Sequence, residues 1–157
     1  MKRSSILIVV LSALGLLVSI RTLAQGPSWW TGSGGWGPGS EYCRMYDTKT
    51  VETIKGEVIS VEKFSPMKGM SHGIHIMMKT DKETISVHLG PEWYIAAQDT
   101  KIERKDLIAV KGSRMTHPFF GEKPFIVASW VKKGEEVLRI RDDSGLPVWQ
   151  GWRRGLT

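Results

Sequence analysis

The chain has 157 residues, of which 22 are Lys or Arg and 16 are Asp or Glu, for a formal net charge of +6. Lys2, Arg3 and Arg21 belong to an N-terminal segment that reads as a removable leader, which leaves 19 basic against 16 acidic residues, a surplus of +3. So small a surplus argues for neither nucleic acid nor anionic lipid as a partner, and a single cysteine, Cys43, rules out an intrachain disulfide.

Met1-Lys2-Arg3 is a short positive start, Ile6 to Ile20 is an uncharged run of fifteen residues, and Thr22-Leu23-Ala24 ends on small residues. This is the pattern of a secretory signal peptide over residues 1–24, with cleavage expected after Ala24. The run is shorter than the roughly 20 residues of a comfortable membrane span, so a retained anchor is the weaker reading. The mature chain is therefore expected to be periplasmic or secreted, with no transmembrane helix after cleavage. Removing 24 of 157 residues leaves 133, one domain large enough to stand without disulfides or a structural metal. Cys43 reads first as a buried, inert thiol, with an intermolecular disulfide or a metal-binding thiolate as the alternatives.

Residues 25–50 follow as a Gly/Ser-rich arm carrying Trp29, Trp30 and Trp36, a composition expected to be flexible. Val51 to Phe64 reads as a long first strand whose apolar phase changes just after Gly56, which predicts a bulge there. Gly73 to Lys79 and Thr84 to Leu89 form the next two strands around a turn at Asp81-Lys82. A short helix starts at Gly90-Pro91-Glu92 and carries Trp93, Tyr94 and Ala97. Leu107 to Gly112, Phe125 to Lys132 and Val137 to Arg141 complete the strands, and Asp142-Asp143 belongs to a turn. The C-terminal tail, residues 143–157, carries Trp149, Trp152, Arg153 and Arg154. Trp-bearing segments at both ends either fold back over the domain or dock a partner, and Trp29, Trp30, Trp36, Trp149, Trp152, Arg153 and Arg154 are the docking candidates.

The predicted architecture is all-β with one short helix, an OB-fold-like five- to six-stranded Greek-key barrel over residues 51–142. The stretch Lys101 to Gly112 resembles the approach to the fourth strand in many bacterial OB domains, where "K-x-G-D" precedes "V-x-V-x-G". Lys105 stands where those domains have glycine, so a different turn is expected. Val87-His88-Leu89-Gly90-Pro91-Glu92-Trp93 is similar to the "V-H-L-G-P-x-W" of small exported bacterial OB-type proteins of uncharacterised role. The resemblance runs from Thr53 to Val131, and the DNA-binding label such proteins carry is fold-level analogy.

Chemistry concentrates between Met67 and Met78, which hold four of the seven methionines and two of the four histidines. Thioether and imidazole together suit copper, Cu(I) above all. With the turn at Asp81-Lys82, His75 should sit opposite His88 and Met77 opposite Ser86, off the core face, with Met67, Met70 and His72 leading in from the loop. Ordinary core packing and a polar outer face account for the same residues. That face shows no aromatic stacking platform, which disfavours nucleic acid. Nothing resembles a catalytic motif: Cys43 has no neighbouring base, and neither "G-x-S-x-G" nor a phosphate-cradling loop is present. The sequence thus leads to an exported, non-catalytic binding or accessory protein with a cell-envelope protein partner, and secondarily to a copper-type metal-binding protein using His75, His88, Met77, Met67, Met70 and His72.

Overall fold

A computed structural model describes residues 33–150, all within one compact unit, Thr31–Thr157. The leader, Trp29, Trp30, Trp152, Arg153 and Arg154 lie outside the described residues. In chain order the elements are α1 (Glu41–Arg44), β1 (Val51–Phe64), β2 (Gly73–Lys79), β3 (Thr84–Pro91), α2 (Glu92–Ala96), β4 (Leu107–Met115), β5 (Phe125–Lys133) and β6 (Glu136–Arg139). No described helix is long and apolar enough to cross a membrane.

The sheet runs β3-β2-β1-β4-β5-β6, and a further parallel pairing of β3 with β5 closes it into a ring. All other pairings are antiparallel. This is the all-β arrangement with a short helix between the third and fourth strands that the periodicity predicts. Ring closure depends on the length of β1, whose first half pairs with β4 and whose second half pairs with β2. The register of β1 shifts between Val58 and Ser60 rather than just after Gly56. Gly56 serves a different purpose: a Cβ there would stand 2.2 Å from the Lys79 carbonyl, so only glycine lets the end of β2 approach.

Inside the ring lie Val58, Ile76, Met78, Val87, Leu89, Val110, Ile126 and Val131, all buried. Each such side chain contributes about 1.5–3 kcal/mol relative to exposure. The expectation of a flexible arm is corrected for its described part, residues 33–50. Ser40 caps α1 by accepting from the Cys43 amide, and that one turn places Tyr42 and Cys43 in the core. Trp36 is 0% exposed, and its indole N–H donates to the Ser71 carbonyl at 3.0 Å.

Trp149 is buried likewise, against Trp36, Trp93 and Tyr94. Two glycines explain the seating. A Cβ on Gly73 would meet the Trp36 ring at 2.5 Å, and one on Gly90 would meet the Trp149 ring at 3.0 Å. The indoles cover strand surface that the glycines leave bare. Trp36 and Trp149 are therefore core residues, and the docking role expected for them from sequence does not hold: burial removes both from any partner's reach.

The turn expected to differ at Lys105 keeps the conformation a glycine would take there, with Lys105 at φ 74°. It is held because the Lys105 amide donates to the Val58 carbonyl at 2.8 Å and the Val58 amide to the Asp106 carbonyl at 2.9 Å.

Candidate functional site

The hairpin of β2 and β3 has the predicted register. His75 pairs with His88, Met77 with Ser86 and Ile76 with Val87. Alternation then places Ile76, Met78, Ile85 and Val87 in the core, and His75, Met77, Ser86 and His88 on the opposite face. The two imidazoles stand edge to face with centroids 6.1 Å apart.

The surroundings of that face differ from the expected solvated surface. His88 is 3% exposed. Its ring stacks on Phe125 at 4.5 Å, meets Phe64 at 4.5 Å and takes the edge of Phe120 at 5.0 Å. Tyr42 closes the remaining side, its hydroxyl 3.0 Å from His88 Nδ1. The expectation that both histidines lie off the core is thus corrected for His88, which β5, the loop after β4 and the α1 segment bury in a second small apolar layer. The aromatics absent from the predicted face are there, but they enclose His88 and offer no open platform for a base.

Burial dominates the electrostatics of the pair. It pushes the His88 pKa down to about 3, with the charges of His75 and Arg141 acting in the same direction, and it raises the Tyr42 hydroxyl above its ordinary value. Both groups are neutral at neutral pH. His88 is consequently a poor proton carrier there, since its imidazolium is out of reach, whereas neutral imidazole is the form that ligates metals.

His75 is partly exposed. Its Nδ1 is 3.0 Å from the Ser86 hydroxyl, and its Nε2 is 3.7 Å from a carboxylate oxygen of the exposed Glu62. Both Nδ1 atoms of the pair are engaged by hydroxyls, so any ion shared by His75 and His88 would have to take the Nε2 side. Met77 is half-buried on the same strand face. Met67 and Met70 pack against the apolar core, while His72 is exposed and its carbonyl accepts from the Glu92 amide at 2.9 Å. Of the predicted ligand set, strand pairing brings together His75, His88 and Met77. Among the described residues no group of three or more His, Cys, Asp or Glu is arranged to hold a metal ion.

Sequence reasoning missed Tyr42, Phe64, Phe120 and Phe125 as the shell of His88. The parallel pairing that sets Phe125 beside Ser86 and Val127 beside His88 joins segments about forty residues apart, and a hairpin argument cannot see it. Phe64 was accessible to such an argument, because its partner Gly73 puts it on the histidine face.

Residues 50–138 match the model of the MamS/MamX magnetosome protein family. The match covers more than half of the chain and spans the strand ring from the start of β1 into β6. No individual curated protein matches the sequence.

Proposed function

The chain belongs to the MamS/MamX magnetosome protein family, and from that premise we propose that it is an exported, non-catalytic accessory protein of the magnetosome that docks a cell-envelope protein. The family match over the whole ring carries this reading. Two features support it further: the central histidine is sealed and held neutral, and apolar side chains such as Leu107 and Phe119 stand in solvent. With Trp36 and Trp149 committed to the core, docking falls to Trp29, Trp30, Trp152, Arg153 and Arg154 and to these exposed apolar residues. Fractionation of cells expressing a C-terminally tagged chain tests the reading. The protein should be recovered with isolated magnetosomes in a crosslinkable complex, and replacing Trp29, Trp30 and Trp152 with alanine should reduce the crosslink. Recovery as a free monomer in cytosolic fractions would sink it.

A second reading is favoured by one observation, the cross-strand pairing of His75 with His88 beside Met77. In it the protein binds copper on the Nε2 side of the pair. Titration with Cu(I) under anaerobic conditions should then show one stoichiometric site that His75→Ala abolishes without loss of fold. The absence of a stoichiometric site in the wild-type protein would rule this reading out.

A further inference from the structure

Arg141 sits in the core just beyond β6, 2% exposed. Its guanidinium is permanently charged. Nη1 donates to the Ala128 carbonyl at 2.8 Å, and the rings of Tyr46 and Trp149 lie 5.7 and 5.5 Å from the guanidinium carbon. Nε and Nη2 are buried and have no hydrogen-bond partner among the described residues. These two nitrogens share one edge of the planar group and present parallel N–H bonds, the geometry that two carboxylate oxygens satisfy together.

No acidic side chain of the protein fills that edge. All 16 Asp and Glu residues lie between Glu41 and Asp143, within the described residues, and none pairs with Arg141. The two that follow it directly are committed elsewhere. Asp142 accepts from the Ser144 amide, the Ser144 hydroxyl and the Leu146 amide, and Asp143 lies 3.6 Å from Lys111. Aromatic faces soften the cost of a buried cation, but a half-paired guanidinium remains unfavourable until an anion completes it.

We propose that the Nε–Nη2 edge of Arg141 is a binding site for a carboxylate from outside the chain, supplied by a small organic acid or by an Asp or Glu side chain of a partner. The turn at residues 142–148, which follows Arg141 directly, is the segment whose movement would admit such a carboxylate. Arg141 bridges to Pro147 across that turn, Gly145 packs on Tyr46, and Leu146 and Val148 face solvent.

Titration of the purified chain with sodium acetate, against sodium chloride at equal ionic strength, tests this through the intrinsic tryptophan emission, to which Trp149 beside the site contributes, and the thermal midpoint. Acetate should give a saturable emission change and a higher midpoint than chloride. Arg141→Met should abolish both, and Arg141→Lys, which keeps the charge but loses the fork, should weaken binding at least tenfold. The tripeptide acetyl-Ala-Glu-Ala-amide separates the sources: saturation by the peptide alone assigns the site to a partner's side chain, and saturation by acetate assigns it to a free acid. Should Arg141→Met fail to fold, Arg141→Lys and a comparison of acetate with neutral acetamide in the wild-type chain carry the test. Equal effects of acetate and acetamide, no saturation by acetate or peptide, or an undiminished response in the Arg141 variants would overturn the proposal.

Discussion

Trp149 donates its indole N–H to the backbone carbonyl of Trp36 at 2.8 Å, and the two rings meet edge to face at 6.3 Å across 113 residues of sequence. The contact fastens the segment before α1 to the segment after β6, and both indoles cover glycines of the central hairpin. Trp149→Ala removes the ring and leaves the buried Trp36 carbonyl without its donor, so a loss of about 3–5 kcal/mol is expected. Urea unfolding checks it, and a loss below about 1 kcal/mol would mean that the C-terminal segment is not part of the core.

The pH dependence of stability follows from His88. Its pKa falls from 6.5 in the unfolded chain to about 3 in the folded one, so between these values the unfolded state binds the extra proton. Stability should therefore be flat above pH 6.5 and decline below it, approaching a slope of about 1.4 kcal/mol per pH unit. Carboxylates held low in the folded state lose their contributions only at greater acidity. Glu83, hydrogen-bonded by Arg114, and Asp142, hydrogen-bonded by the Ser144 hydroxyl, are two of these. Denaturation midpoints between pH 6.5 and 5 isolate His88, and His88→Phe should flatten that part of the profile.

Tyr42→Phe tests the shell of the same histidine. The substitution keeps the aromatic packing and deletes the hydroxyl 3.0 Å from His88 Nδ1. A buried nitrogen left without its partner costs about 1–3 kcal/mol. Chemical denaturation of the variant should show that loss with an unchanged m-value, whereas a neutral substitution would mean that water reaches Nδ1 in place of the hydroxyl.

Local periodicity made the hairpin legible. The turn at Asp81-Lys82 and the alternation of Ile74, Ile76 and Met78 with His75 and Met77 fix the pairing of His75 with His88, since any one-residue slip would expose the apolar set. What covers that face was not legible. Tyr42, Phe120 and Phe125 reach His88 through contacts distant in sequence, and neither a Gly/Ser-rich composition nor a loop position announces them. A Gly/Ser-rich composition over residues 25–50 hides the anchoring of its second half by Trp36, Tyr42 and Cys43, all buried. Glycines at strand positions 73 and 90 were the available signal, since a bare strand surface invites an aromatic lid. Arg141 gave none: a lone arginine before a turn reads as a surface residue until its burial is seen.

Lys105 offers a test of the turn that starts β4. Its φ of 74° lies in the left-handed region, where a side chain with a Cβ is strained by about 1–2 kcal/mol and glycine is not. Glycine, however, gives up more backbone freedom on folding, about 0.5–1 kcal/mol. The strain term is the larger, so Lys105→Gly should stabilise the chain by up to about 1 kcal/mol, with the amide of residue 105 still donating to the Val58 carbonyl. Lys105→Ala is the control, because it removes the charge and keeps the Cβ. A rise in the denaturation midpoint for glycine alone would confirm the left-handed turn, and equal effects of the two substitutions would trace any gain to the charge instead.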